Sequence, residues 1–182
     1  MPLPAGVTDA RVRLVSDQDY LPVLSSLIYH AVGRLDASLF LVDLTPGADG
    51  STAVDDVLLA LQAAVWRGVR VRLVLGGSRE NLDILHATHA ALLRARQLGL
   101  PARMLAARPV RGSHAKLVIA DDRVLLGSQN WSHGAFFTQT QDGLLIDSTD
   151  LAAQLRAVFA AQWQRAARIA PSAASGAAAG GD

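Results

Sequence analysis

The sequence predicts an α/β fold, a mixed and largely parallel β-sheet sandwiched between helices. Short apolar runs rich in Val, Leu and Ile alternate along the chain with amphipathic segments of helical period. Hydrophobic residues fill 51% of the 182 positions, enough for one domain with a real core and too short a chain to expect two. No repeat of roughly 20–50 residues is visible, which argues against a solenoid or propeller.

The elements follow in order. Val12–Val15 reads as a short strand, with Ser16 or Asp17 placed to cap a helix over Tyr20–Arg34. Ala37–Leu44 reads as a buried strand and Pro46–Gly50 as a loop. Ser51 or Thr52 then caps a helix that runs through Trp66 and stops at Gly68. Val69–Leu75 is the next strand, Gly76-Gly77-Ser78 a turn, Asn81–Gln97 a helix closed by Gly99, and Ala102–Ala106 a further strand. Lys116–Ala120 and Arg123–Leu126 form a hairpin about Asp121-Asp122. Leu144–Asp147 is the last strand and Asp150–Ala167 the last amphipathic helix. The domain therefore spans 11–170, between an N-terminal tail (1–10) and a small-residue tail (171–182) that cannot bury a core.

Composition narrows the function classes. A net charge of +1 gives no global attraction to polyanions, so an anionic partner must be held by a local patch. Between positions 94 and 123, Arg94, Arg96, Arg103, Arg108, Arg111, Lys116 and Arg123 face only Asp121 and Asp122. That run is either a functional patch or a set of solvated faces. The chain has no cysteine, which excludes disulfides and thiolate metal sites and fits a reducing compartment. No apolar run approaches the roughly 18 residues needed to cross a bilayer. Residues 1–9 lack the basic-then-apolar pattern of a secretory signal, so the expectation is a cytoplasmic protein without a transmembrane segment.

Lys116 is the only lysine among 17 basic residues. Where arginine serves everywhere else, a solitary lysine suggests a position that needs a compact ammonium. It lies two residues after His114 at a strand start, so both side chains leave the same face. Gly127-Ser128-Gln129-Asn130 ends the neighbouring strand, with Ser128 and Asn130 again two apart. If the two faces coincide, an imidazole, an ammonium, a hydroxyl and an amide converge without adding negative charge. That is a pocket for a tetrahedral oxyanion, phosphate above all.

The pattern His114-x-Lys116-(x)4-Asp121 followed by Gly127-Ser128-x-Asn130 resembles the signature of the phospholipase D superfamily, the HKD motif. The resemblance extends over residues 11–168, including the Arg67–Arg72 helix-to-strand junction and the final helix near Trp163. In size and order it is closest to the small single-motif bacterial endonuclease branch. It implies a phospholipase D-like fold and metal-independent phosphodiester chemistry without a cofactor. It further implies His114 as the nucleophile, giving a phosphohistidine, with Lys116, Ser128 and Asn130 on the non-bridging oxygens. Asp142 would hydrogen-bond the histidine and fix its tautomer, while Asp121 and Gly127 would be structural. A leaving alkoxide needs a general acid opposite the nucleophile, so one motif per chain implies a symmetric homodimer with a shared active site.

Two departures from the family pattern stand out. Five residues separate Asp121 from Gly127 where six are usual, and the supporting acid is Asp142 rather than a glutamate, with Asp147 a weaker substitute. Nucleic acid is the expected substrate. Phospholipid comes second, because no cationic amphipathic anchor is evident. A nucleic-acid-binding module without turnover is the third reading. Arg108, Arg111, Trp131 and His133 are candidate nucleic-acid contacts. For Trp131, buried packing competes with base stacking; for His133, a surface loop competes with the pocket mouth. His86 and His89 lie three apart on a helix and lack a third metal ligand. Trp66 and Trp163 read as core, and Arg67, Arg70 and Arg72 as mostly solvated.

Overall fold

The computed structural model describes residues 6–7, 9–77, 81–105 and 113–166; Arg108, Arg111 and the 171–182 tail lie outside them. The elements are β1 (Arg11–Ser16), α1 (Tyr20–His30), β2 (Arg34–Leu39), α2 (Ala53–Trp66), β3 (Arg70–Leu75), α3 (Leu82–Gln97), β4 (Ala102–Met104), β5 (Lys116–Ala120), β6 (Arg123–Gly127), α4 (His133–Phe137), β7 (Asp142–Asp147) and α5 (Thr149–Arg165). The strands form a seven-stranded sheet in the order β1-β7-β6-β5-β2-β3-β4. The expected mixed sheet is present, but its parallel share is smaller than the sequence suggested. Among the described strands only β2–β3 and β3–β4 pair in parallel, where α2 and α3 supply the crossovers; the other strand pairings are antiparallel.

Alternation along the strands builds a core on each face. Leu35, Ala37 and Leu39 of β2, Val71, Leu73 and Leu75 of β3, and Val118 and Ala120 of β5 share one cluster with Leu24 and Ile28 of α1, Leu58 and Leu61 of α2, and Ala91 and Leu92 of α3. Val74, Leu117, Ile119, Val124 and Ile146 point the other way, onto Ala152 and Phe159 of α5. On this second face β2 presents polar residues, Asp36 and Ser38, both buried.

Asp36 is gripped by Arg72 through Nε at 2.8 Å and Nη2 at 3.0 Å. The Arg72 guanidinium lies over Phe159 and Trp163, and Arg103 stacks 4.1 Å above the same indole. Arg72 is thus part of the seat of α5, not a solvated residue, because a buried carboxylate on the neighbouring strand requires it. Trp163 is half-buried in this stack. Trp66, expected in the core, is 77% exposed because it falls off the α2 stripe formed by Val54, Val57, Leu58, Leu61 and Ala64.

The first helix stops at His30, short of the expected Arg34, and the second strand begins at Arg34 and ends at Leu39. Asp121 explains the early stop. Its carboxylate accepts the backbone N–H of Val32 at 2.8 Å and those of Gly33 and Arg34 at 3.0 Å each. These donors are turned toward the β5–β6 turn and so cannot continue a helix. Ser16 and Asp17, the expected caps, serve elsewhere: Ser16 Oγ donates to Asp142, and Asp17 accepts the Gln141 N–H at 2.8 Å. The short α4 was not expected, although Ser132 caps it by accepting the Ala135 N–H.

Candidate active site

Antiparallel pairing brings the start of β5, the ends of β2 and β6 and the start of β7 to one end of the sheet. The Phe40 N–H donates to the Ala115 carbonyl at 2.8 Å, and the Trp131 N–H donates to the Leu41 carbonyl at 3.1 Å. The chain just beyond β2 is therefore flanked by the His114–Lys116 segment and by the Asn130–Trp131 segment. Close approach at this end demands small residues. A Cβ on Gly127 would overlap Gln129 Oε1 and crowd the Asp142–Gly143 backbone of β7.

His114 is exposed, with its ring 4.3 Å from that of Phe40. Lys116 Nζ stands 3.0 Å from His114 Nδ1 and donates to the His114 carbonyl at 3.0 Å. It also lies 5.0 Å from the Phe40 ring centroid, a cation–π contact. Partial burial against this ring lowers the Lys116 pKa from the ordinary lysine value. The structure thus brings the histidine and the lone lysine into direct contact.

Ser128 and Asn130 lie past the end of β6. The Ser128 N–H donates to the Asp142 carbonyl at 2.9 Å, its hydroxyl donates to Gln141 Oε1, and its Oγ accepts the Asp142 N–H at 3.1 Å. Asn130 Oδ1 and both amide atoms of Gln129 are buried and make no hydrogen bond among the described residues. Gln141 is a site residue that sequence reasoning missed. Its one signal was adjacency to Asp142.

Asp142 is not beside His114 in the protomer. Its carboxylate accepts from Ser16 Oγ at 3.0 Å, across the β1–β7 pairing that sets Ser16 opposite Asp142. β6 separates β7 from β5, and two strand spacings amount to about 9.6 Å. Asp142 is also in phase with Leu144 and Ile146, which face α5, whereas Lys116 is in phase with Val118, which faces the opposite core. Asp147, the weaker substitute, pairs with Arg123 at 3.2 Å at the far end of β7.

Trp131 is fully buried, and its Nε1–H donates to the Tyr20 hydroxyl at 3.3 Å. Burial pushes the Tyr20 pKa up to about 12, against the lowering effect of the Trp131 hydrogen bond. An indole enclosed in this way cannot stack on a base, which corrects Trp131 as a nucleic-acid contact. His133 opens α4, half-buried, with Nδ1 3.5 Å from Ser51 Oγ and its ring 5.0 Å from that of Phe137. The basic run is partly structural: Arg94 grips Asp55 at 2.6 Å, and Arg103 donates to the Trp163 carbonyl at 2.7 Å. His86 and His89 are exposed on α3.

The sequence model of a family described as "Cardiolipin synthase, PLD-like domain" matches residues 26–163. The chain belongs to this phospholipase D-like family. No curated protein gives a significant sequence match. Among solved structures, the phospholipase D-like chain is similar to Nuc, a phospholipase D family member from Salmonella typhimurium. The identity is 22% and the TM-score 0.71, covering 87% of this chain and 97% of that one. NucT from Helicobacter pylori is similar at 19% identity and TM-score 0.65, covering 87% and 98%. Phosphatidylserine synthase from Haemophilus influenzae matches at 17% identity and TM-score 0.59, covering 80% of this chain but 35% of its own. Among the described residues no helix is long and apolar enough to cross a membrane.

Proposed function

We propose that this chain is a metal-independent phosphodiesterase acting on nucleic acid, an endonuclease that works through a phosphohistidine on His114. The observation that carries the reading is the direct contact of Lys116 Nζ with His114 at 3.0 Å, at the sheet end that also holds Ser128 and the half-buried Asn130. An ammonium has only donors, so His114 Nδ1 accepts and the ring proton sits on Nε2. An anionic phosphate is a stronger acceptor for Lys116 than a neutral imidazole. Substrate binding therefore draws the ammonium onto a non-bridging oxygen and leaves His114 free to present a lone pair to phosphorus.

Nitrogen attack forms the P–N bond as the P–O bond to the leaving group breaks, and the departing alkoxide needs a proton. A second copy of the chain supplies that proton from its own His114, which in that role carries a proton on both ring nitrogens, across a two-fold axis. Water then attacks the phosphohistidine, giving its proton to the partner imidazole so formed, and the P–N bond breaks to restore His114. The near-complete coverage of the two small bacterial proteins, against about a third of the phosphatidylserine synthase, supports a chain of single-motif size, and the dimer follows from the need for a second histidine. DNA binding by the similar archaeal chromatin protein TrmBL2, matched at TM-score 0.56, supports a nucleic-acid substrate.

The deciding experiment incubates the protein with single- and double-stranded DNA and RNA in excess EDTA, alongside His114→Asn. Cleavage that persists in chelator and vanishes in the variant is expected; cleavage restored only by added metal contradicts the chemistry. Light scattering on the active preparation must show a dimer. The family description and the phosphatidylserine synthase likeness favour one alternative, a phospholipid phosphodiester. Turnover of anionic liposomes, with none of nucleic acid, would select it.

A further inference from the structure

Behind His114 runs a buried line of side chains drawn from three segments. Ser38 of β2, fully buried, donates to Gln162 Oε1 of α5 at 2.7 Å, and its Oγ lies 3.3 Å from Ser113 Oγ. The Ala115 N–H reaches Ser113 Oγ at 3.4 Å. Each hydroxyl carries one proton. That of Ser38 is committed to Gln162, so Ser113 donates to Ser38 and keeps a lone pair for Ala115. The line runs one way, from the Ala115 N–H through Ser113 and Ser38 to Gln162, the terminal acceptor that sets its direction.

The placement matters because β5 begins only at Lys116, so His114 lies outside the regular ladder. Its neighbours are nonetheless fixed. The Ala115 carbonyl accepts from Phe40, and the Ser113 carbonyl lies so close to Gly76 that a Cβ there would stand 2.6 Å from it. α5 is itself anchored one residue further on, where Arg72 and Arg103 stack on Trp163. We infer that Gln162 and Ser38 are positioning residues for His114: acting through Ser113, they hold the turn that presents the imidazole. This inference rests on the reading of His114 as the nucleophile. A nucleophile displaced by about 1 Å can lose about a hundredfold in rate, and loss of one anchor in this line displaces it by less.

The test compares Gln162→Met, which keeps the volume and removes the acceptor, with Gln162→Glu, which keeps the acceptor. In the full-length protein, kcat falls about tenfold in Gln162→Met at unchanged KM and returns to within about twofold of wild type in Gln162→Glu. The His114 ring resonances in 1H–15N spectra move in Gln162→Met and return in Gln162→Glu, while both variants stay folded at the assay temperature, Gln162→Met melting a few degrees lower because the buried Ser38 hydroxyl loses its acceptor. Wild-type kcat in Gln162→Met, equal loss in both variants, or unmoved ring resonances overturns the inference. If the wild-type protein cleaves no phosphodiester, the proposed function fails by itself, and the ring resonances still decide whether Gln162 positions His114.

Discussion

The two ends of the β5–β6 hairpin are made from one motif and use their polar groups in opposite ways. At the turn, Asp121 adopts a left-handed φ of 46°, and its carboxylate gathers three backbone N–H groups from the α1–β2 connection. Burial alone would raise its pKa, but these donors and the Arg156 charge outweigh burial and hold the carboxyl below the ordinary aspartate range. At the open end, His114 is exposed, Lys116 leans over an aromatic ring, and Asn130 and Gln129 hold buried polar atoms without partners among the described residues. One end spends its hydrogen bonds on the fold. The other keeps an exposed imidazole and an ammonium whose ring partner is only a neutral acceptor, both open to a ligand.

Substitutions at each end should therefore separate activity from stability. The largest effect is expected for His114→Asn, a loss of at least about a thousandfold in kcat/KM with Tm within about 2 °C of wild type. A coupled fall in Tm would show that the open end also carries the fold. Lys116→Arg follows, with about a 30-fold loss, because a planar fork cannot reproduce a point charge seated over Phe40. In the wild type, activity should decline on the alkaline side below the ordinary lysine range, since burial lowers the Lys116 pKa; the decline should be absent from residual Lys116→Arg activity. Both are read from pH–rate profiles.

Asp121→Ala should reverse the pattern, losing about 2 kcal/mol of stability while kcat/KM of the folded protein stays near wild type. Denaturant titration checks this. Because the folded Asp121 pKa is depressed, its stabilisation is present above the unfolded aspartate pKa and is lost as pH falls through the folded value. The stability gap between Asp121→Ala and wild type should then close in acid. Smallest of all is Arg123→Ala, which removes the half-exposed Arg123–Asp147 pair and should shift stability by less than about 0.5 kcal/mol. A larger shift would mean that the turn end relies on more than Asp121.

The sequence made the helix–strand order and the convergence of His114 with Lys116 legible, because both follow from short-range periodicity. Other features depended on contacts between residues distant in the chain. The end of α1 is set by Asp121, 89 residues beyond Val32, so local helical pattern overran it. The amount of parallel pairing depends on which strands become neighbours, and β5 enters beside β2 antiparallel to it. Trp66 and Trp163 looked alike in apolar context, yet one lies in solvent and the other beneath two arginines. Asp142 was identified by its place after Gly127–Asn130, whereas its distance from His114 is fixed by strand order. Gln162 gave no signal at all, since only packing places it behind Ser113.

Lys116 carries a practical consequence of its singularity. Its ε-amine is the only side-chain primary amine in the sequence, and its lowered pKa leaves more of it unprotonated, and so nucleophilic, than an ordinary lysine at the same pH. Amine-directed reagents should therefore label this chain at one side chain. Protection from that label would report occupancy of the open end by any phosphate-bearing molecule, turned over or not.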